Sequence, residues 1–233
     1  MANRDVSIAA KAGTYGALDI AMSPYGSYWR NMRKLFVRDM LSNKNLEASS
    51  NLRKSEVKKA IKYVYQKIGT KIEVGALGFK TEMNFVMTML WGGTLGEETQ
   101  EKFASELRLL TGDYMYYFAK PNVSDFFPIL ARFDVQGVEK KMQSIARRID
   151  EFLNLVIEER MKMPDNNQRG DGKKDFLQIL FELRKHNDFG LAIDDTQIKA
   201  ILLVSFTTRI LFHISLELLS MSHCQFGSSL TPR

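Results

Sequence analysis

Apolar residues recur every three or four positions over most of the chain, which is the pattern of helices that bury one face. The longest such segment predicts a helix over about 136–163, with an apolar stripe formed by Val138, Met142, Ile145, Ile149, Phe152, Val156 and Ile157. Similar spacing predicts helices over 101–118 and from Phe176 onward. The sequence Asp194-Asp195-Thr196 predicts the cap of another helix that begins near Gln197.

One predicted helix is rich in basic residues. Lysines and arginines occupy most of its surface, and its apolar stripe consists of Val57, Ile61, Val64 and Ile68. The pattern predicts an amphipathic helix with a basic outer face. That face is either solvated or in contact with an acidic partner or an anionic membrane surface.

The remaining signals favour helices over strands. An apolar helix through Phe85–Trp91 is predicted to end at Gly92-Gly93, because glycine readily ends a helix. Strand candidates are Lys71-Ile72-Glu73-Val74 and short pieces within 5–15. A polar run over 164–174 predicts a surface loop between helices. The expected fold class is therefore mainly α, with few short β-strands.

Composition and charge narrow the class of protein. With 45% hydrophobic residues, 233 residues are enough to bury a sizeable core. The net charge is +6, but basic residues alternate with acidic ones along several helices, so nucleic acid is not an expected partner. The single cysteine, Cys224, excludes an internal disulfide and a cysteine-rich zinc site. No signal peptide and no membrane-spanning run is expected, which predicts a cytosolic chain.

The segment Tyr25–Lys34 holds the most specific chemical pattern. Trp29 and Arg33 are four residues apart in a predicted helix, so their side chains point the same way. An indole N–H beside a guanidinium can donate to a carboxylate or phosphate of a flat ligand. A core tryptophan next to a solvated arginine has the same spacing, so the two residues alone leave both interpretations open.

Several short sequences occur in one unbroken order: Ala2-Asn3-Arg4-Asp5, Tyr15–Ile20, Ser23–Gly26, Trp29–Lys34, Leu41-Ser42, Met89–Leu95, Pro121–Pro128 and Ile198–Leu203. In this order the chain resembles the plant cytochrome P-450 family of haem-thiolate monooxygenases, most of all members that act on terpenoids and related specialised metabolites. The resemblance implies a partial P-450 domain over 2–203, the amino-terminal part of that fold from its second to its ninth lettered helix. Residues 204–233 form a tail that does not match the family.

The resemblance assigns roles within the Tyr25–Lys34 region. Trp29 and Arg33 match the pair that donates hydrogen bonds to a haem propionate, so haem is the implied cofactor. Basic residues of the same helix would face the NADPH-dependent reductase of the family, although solvated helix charges explain them almost as well: Arg30, Lys34 and Arg38.

The resemblance also implies a substrate pocket and a location. Residues 17–23, including Ile20 and Met22, and residues 107–120 would border a pocket for a hydrophobic small molecule. Plant members of the family lie on the cytosolic face of the endoplasmic reticulum membrane, held by an amino-terminal anchor. This sequence has no such anchor, so the chain itself would be cytosolic.

The chain departs from the family pattern toward its end. The iron-ligating cysteine of the family lies in a Phe-x-x-Gly-x-Arg-x-Cys-x-Gly loop, whereas Cys224 lies in the different sequence Met221–Gly227. The family's acid plus threonine pair is missing, so neither Thr207 nor Thr208 takes the role of proton delivery. A change of reading frame or splice pattern near residue 204 would explain the loss of match.

No catalytic residue and no metal ligand is therefore assigned, and the three histidines, His186, His213 and His223, are expected to be structural or exposed. The predicted function is a fragment of a monooxygenase that inserts one oxygen atom from dioxygen into a hydrophobic small molecule, catalytically inactive as this chain. The alternative is a non-catalytic helical binding module or a pseudogene product, which would pair with other helices through unburied apolar faces.

Overall fold

The computed structural model describes residues 5–43, 47, 49–92, 94–163, 174–186 and 193–208, without the side chains of residues 97, 111 and 186. These ranges are mainly helical and contain no strand. The helices are α1 Ile8–Gly13, α2 Ser27–Leu35, α3 Ser50–Gln66, α4 Val74–Trp91, α5 Glu97–Ala119, α6 Val123–Phe126, α7 Val138–Lys162, α8 Phe176–His186 and α9 over 195–208. A π-helical turn, Phe36–Met40, continues α2, and a 3₁₀ turn, Pro128–Phe133, follows α6. The predicted mainly α fold is confirmed.

The hydrophobic core lies where α4, α5, α7, α8 and α9 meet. The stripe predicted on α7 is buried from Val138 to Ile157. Trp91, at the end of α4, is fully buried, and its ring lies against Phe152 of α7 and Phe206 of α9. Three helices that are distant in sequence therefore meet at one aromatic side chain.

The predicted helix ends agree with the observed caps. α4 ends at Gly92, whose φ of +62° is a conformation that favours glycine. Asp194 caps α9, because its Oδ1 accepts the Gln197 N–H at 2.7 Å while Gln197 Oε1 accepts the Asp194 N–H at 3.2 Å. This reciprocal pair is a capping box, and it starts α9 at residue 195.

The short strands predicted within 5–15 are wrong, because this segment contains α1. Ser7 caps that helix, with its Oγ accepting the Ala10 N–H at 3.2 Å. α1 packs across α5 and α7 so closely that a Cβ added at Gly13 would lie 3.3 Å from the side chains of Met142 and Tyr114. Contact with two long helices stabilises this helix, although it is too short to persist alone.

The strand predicted over 71–74 is also wrong. Residues 71–73 have no regular structure, and the Glu73 carbonyl accepts the Leu77 N–H at 3.1 Å, so Glu73 precedes α4 as its cap. Val74 becomes the first residue of the helix and is 76% exposed. A short β-type pattern forms a strand only beside a neighbouring strand, and none lies in the described ranges.

α3 forms where the sequence predicts a helix, but its apolar stripe does not face the core. Val57 and Ile61 are 52% and 62% exposed, and the buried side chain of this helix is Glu56. The side of α3 toward α4 carries Leu52, Glu56 and Ala60. The described residues do not bury the apolar stripe, so the predicted apolar inner face is wrong, whereas Lys54, Lys58 and Lys62 are exposed as the predicted basic outer face requires.

None of the helices in the described ranges has the length and apolar character needed to cross a membrane. The polar loop predicted over 164–174 lies outside the described residues except for Lys174. Residues 209–233, which include Cys224, His213 and His223, also lie outside them.

Candidate functional site

Trp29 and Arg33 lie side by side on α2, as their spacing predicts. The guanidinium carbon of Arg33 is 5.3 Å from the centre of the Trp29 ring, and the rings of Tyr25 and Trp29 are 5.5 Å apart. Arg33 is exposed and has no acidic partner among the described side chains. Its positive charge is therefore available to an anion, and the indole face beneath it adds a weak cation–π attraction.

The Trp29 indole N–H is already used inside the protein. It donates to the backbone carbonyl of Ile20 at 3.0 Å. The neighbouring Tyr28 hydroxyl donates to the carbonyl of Leu18 at 2.7 Å, and burial, with Asp194 and Asp19 nearby, raises the pKa of Tyr28 to about 12. These two hydrogen bonds fasten the segment before α2 onto that helix.

The fastened segment, residues 14–23, is held in an uncommon conformation. Tyr15 and Ala17 have φ of +51° and +67°, a region that costs energy for side chains other than glycine. Asp19 is buried, and its Oδ1 accepts the N–H groups of Ala21 and Met22 at 2.6 and 2.9 Å. Side-chain hydrogen bonds therefore fix the backbone where the sequence predicts one wall of a pocket.

The residues predicted to border a substrate pocket do not all line one cavity. A small apolar cavity of about 10 Å³ lies between α5, α7 and α9, and its wall includes Leu107, Leu110, Tyr114, Met115, Leu203 and Phe206. This volume holds about one water molecule. Ile20 and Met22 are half-buried elsewhere, Ile20 against the core. Part of the predicted range 107–120 thus contacts α9, while residues 17–23 line no part of this cavity.

A polar network that the sequence reading missed connects the fastened segment to the core helices. Asp150 of α7 accepts hydrogen bonds from the Tyr15 hydroxyl at 2.8 Å and from Lys199 Nζ of α9 at 2.6 Å. Asn154 donates to its second oxygen at 3.0 Å. Burial and the bond to Asp150 raise the pKa of Tyr15 well above its usual range. The sequence did contain a signal for this network, because Lys199 is a charged residue among the apolar residues of α9.

Replacing Asp150 with asparagine should change how the stability of the fold depends on acid pH. Burial alone would raise the pKa of Asp150, but the bonds from Lys199, Tyr15 and Asn154 lower it. A lowered pKa stabilises the fold above the unfolded value, about 4, and this stabilisation is lost as pH falls through the folded value. We expect Asp150→Asn to cost about 1–2 kcal/mol near neutral pH, because the carboxylate is 30% exposed and solvent screens it.

The measurement is urea unfolding at neutral pH and at several values between about pH 5 and 3. Wild-type stability should fall more steeply with acid than that of Asp150→Asn. Asp195→Asn, which removes an exposed partner of Arg184, is the control and should change stability by less than about 1 kcal/mol. Parallel curves of unfolding free energy against pH for wild type and Asp150→Asn would contradict the contribution of the Asp150 network to stability.

The basic residues predicted to face a reductase differ in their surroundings. Arg38 Nε lies 3.0 Å from both carboxylate oxygens of Asp39, which balances its charge locally. Arg30 is exposed, with its guanidinium carbon 5.5 Å from the Tyr25 ring centre, and Lys34 is exposed. Arg30 therefore contributes more to the positive potential of this surface than Arg38.

The described residues offer no metal site: no cluster of three or more histidine, cysteine or acidic side chains occurs among them. Thr207 and Thr208 hydrogen-bond to carbonyls of their own helix, Thr207 to Leu203 at 3.1 Å and Thr208 to Val204 at 2.7 Å. Both hydroxyls are thus used within α9. Cys224 lies outside the described residues.

A family model described as Cytochrome P450 (hereafter P-450) matches residues 2–208. The chain belongs to the cytochrome P-450 family. The P-450 resemblance predicted from the sequence is confirmed, and the match extends to residue 208, beyond the predicted end at residue 203.

Plant members of the P-450 family are among the similar curated proteins. Cytochrome P-450 93A3 of Glycine max is 32% identical over 202 residues, covering 84% of this chain and 39% of that protein. Tabersonine 16-hydroxylase 1 of Catharanthus roseus is 29% identical and covers 84% of this chain and 38% of that protein. The chain thus spans about two fifths of the length of these relatives.

A solved P-450 supports the same fold. A zebra fish cytochrome P-450 determined with progesterone superposes with a TM-score of 0.60 at 15% identity, covering 89% of this chain and 45% of that one. At this identity the likeness concerns the fold alone. The chain therefore has the fold of one part of a P-450.

The P-450 family implies haem, and the described residues fit it only in part. Arg33 is exposed and free of acidic partners in this part of the chain, which suits a haem carboxylate. The Trp29 N–H is engaged by Ile20, so the second donor of the predicted pair is not available in this arrangement. No cysteine lies within the described ranges.

Proposed function

We propose that this chain is the amino-terminal part of a haem-dependent monooxygenase that inserts one oxygen atom from dioxygen into a hydrophobic small molecule. The observation that carries the proposal is the ordered P-450 match over residues 2–208. Plant hydroxylases among the relatives, such as tabersonine 16-hydroxylase 1, support a substrate from specialised metabolism. The substrate itself is not assigned, because a shared fold does not determine it.

Within this proposal Arg33 and Trp29 have different tasks. Arg33 would bind a carboxylate of haem, supported by its exposed guanidinium. Trp29 would orient Arg33 through its ring and hold Ile20 and the neighbouring Met22 in position through its N–H. Haem, when bound, would supply the oxygen chemistry. The rigid segment 14–23 would then form one side of the substrate pocket.

A haem titration monitored by calorimetry tests the role of Arg33 in haem binding. Arg33→Ala should weaken haem binding about fivefold, which is the loss of one exposed charge-assisted hydrogen bond of about 1 kcal/mol. Haem dimethyl ester, whose carboxylates are blocked, should bind both proteins equally. Arg147→Ala, an exposed arginine of α7, is the control. Equal haem binding by wild type and Arg33→Ala would reject the assignment.

We also propose that this chain does not perform the oxygen insertion by itself. The single cysteine of the sequence, Cys224, lies in a context unlike the iron-ligating loop of the family. Dithionite and carbon monoxide are then added to the titrated sample, and its absorption spectrum should not be of the thiolate type. A thiolate-type spectrum would refute this part of the proposal.

An exposed apolar cluster at the end of α6 and in the 3₁₀ turn that follows it supports the family's location at a membrane. Phe126, Ile129 and Phe133 are 74%, 79% and 63% exposed, with Arg132 beside them. Apolar side chains with adjacent basic residues favour the surface of an anionic bilayer. We propose that this cluster rests on the membrane while a reductase approaches the surface that carries Arg30 and Lys34.

Flotation with vesicles of phosphatidylcholine and phosphatidylserine tests the membrane contact. The double variant Phe126→Ser and Ile129→Ser should bind at least about tenfold less, because it removes two large apolar groups from the bilayer. Leu109→Ser is the matched control, since Leu109 is 80% exposed on α5. If the control loses as much binding as the double variant, the contact does not lie at this cluster.

A further inference from the structure

Segment 14–23 begins with a left-handed turn. Tyr15, Gly16 and Ala17 have φ of +51°, +75° and +67°. Residues other than glycine seldom adopt this region in succession, because Cβ comes too close to the following carbonyl oxygen. The backbone alone would therefore favour another conformation at Tyr15 and Ala17, so contacts from outside the turn must hold it in place.

The two halves of the segment are held by different helices. In the later half, backbone carbonyls accept hydrogen bonds from the Tyr28 hydroxyl and the Trp29 indole of α2. In the turn, the side chain of Tyr15 reaches α7, where its hydroxyl donates to Asp150 Oδ1 at 2.8 Å. Tyr15 thus links the strained turn to a helix residue 135 positions further along the chain.

Lys199 of α9 contacts both members of this link. Its Nζ lies 2.6 Å from Asp150 Oδ1, the oxygen that also accepts the Tyr15 hydroxyl, and 5.4 Å from the centre of the Tyr15 ring. The side chains of Lys199 and Asp150 are 14% and 30% exposed, so water screens their attraction less than that of a fully exposed pair. Lys199 therefore fixes the carboxylate that Tyr15 needs and attracts the Tyr15 ring as well.

We propose that Lys199 is a positioning residue for segment 14–23, and that it acts through Asp150 and the side chain of Tyr15. The left-handed turn keeps its conformation while α9 holds the Asp150 carboxylate in place, and displacement of α9 from α7 releases it. The consequence for a substrate rests on the proposed function, in which this segment forms one side of the pocket. The coupling between α9 and the segment itself needs no haem.

Hydrogen exchange of the full chain measures the opening of the segment. Its amides report directly, because the Leu18 N–H donates to the Thr14 carbonyl at 3.1 Å and the Ser23 N–H donates to the Asp19 carbonyl at 2.9 Å. In wild type these amides should exchange faster than those of α7, through a local opening. Lys199→Met should accelerate their exchange at least about fivefold, because the closed segment loses a charge-assisted contact.

A second variant and a control make the test specific. Tyr15→Phe should also accelerate exchange in the segment, by about fivefold. Because Lys199 acts through Tyr15, the double variant should accelerate exchange by less than the product of the two single effects. Lys80→Met is the matched control, since it removes the pair between Lys80 of α4 and Glu101 of α5, and its segment should exchange like wild type.

The outcomes that would overturn the proposal are distinct. Unchanged exchange of the segment in Lys199→Met, with faster exchange in α7, would mean that Lys199 stabilises only the packed helices. A double variant whose effect equals the product would mean that Lys199 and Tyr15 act independently. Equal haem binding by wild type and Arg33→Ala would reject the haem assignment and leave this coupling intact.

Discussion

Replacing Arg160 with alanine is expected to lower the free energy of unfolding by about 3–5 kcal/mol. Arg160, at the end of α7, and Asp175, before α8, are 6% and 2% exposed, with 3.3 Å between Nη2 and Oδ2. Arg160 also donates to Gln178 Oε1 at 3.1 Å. Removing the guanidinium takes away the counter-charge that lies 3.3 Å from a buried carboxylate, which costs far more than the pair itself contributes.

An arginine on the same helix provides the control. Arg148 pairs with Glu106 at the surface, where the two side chains are 54% and 37% exposed. Arg148→Ala should cost less than about 1 kcal/mol, because water and salt screen an exposed pair. Urea unfolding followed by circular dichroism measures both. A loss at Arg160 no larger than the loss at Arg148 would mean that the buried pair has little effect on stability.

Helices with a buried face are the part of this fold that the sequence predicts well. The stripe from Val138 to Ile157 is buried as its spacing requires, because α7 has packed neighbours along its whole length. The caps at Asp194 and Gly92 depend on local chemistry, so their prediction needs no tertiary information. Where the apolar period and the cap agree, the predicted helix is confirmed.

The errors arise where the outcome depends on a neighbour. Val57 and Ile61 have the spacing of a buried face, but periodicity cannot say whether a partner covers it. The strand predicted at 71–74 failed for the same reason, since a strand needs a second strand. The role of Trp29 and Arg33 as a haem clamp stays a prediction. The sequence places Trp29 beside Arg33, but only the structure reveals that Ile20 accepts the indole N–H.

Buried charges were the signal that sequence reading could have used. Arg160 continues the α7 stripe four positions after Val156, so its spacing already places a guanidinium in the core. Lys199 likewise follows Ile198 in an apolar helix. A charge on an apolar stripe needs a counter-charge, and the identity of that partner depends on tertiary contacts. This is why Asp175 and Asp150 could not be assigned from spacing alone.

The second large effect is expected at Trp91, where alanine should cost about 3–5 kcal/mol. Its ring is fully buried, 5.7 Å from the Phe152 ring and 5.0 Å from the Phe206 ring. Truncation leaves a cavity at the point where α4, α7 and α9 meet. The indole N–H has no acceptor among the described residues, so the ring contributes through packing and not through a hydrogen bond.

Phenylalanine at position 91 separates these two contributions. Trp91→Phe keeps an aromatic ring and removes the unpaired donor, so we expect a loss below about 1.5 kcal/mol. Urea unfolding compares the two variants. The sequence has two tryptophans, so in either variant Trp29 is the remaining fluorescent reporter. Equal losses for alanine and phenylalanine would mean that the indole N–H has a partner, and that α9 is held by a polar contact instead of aromatic packing.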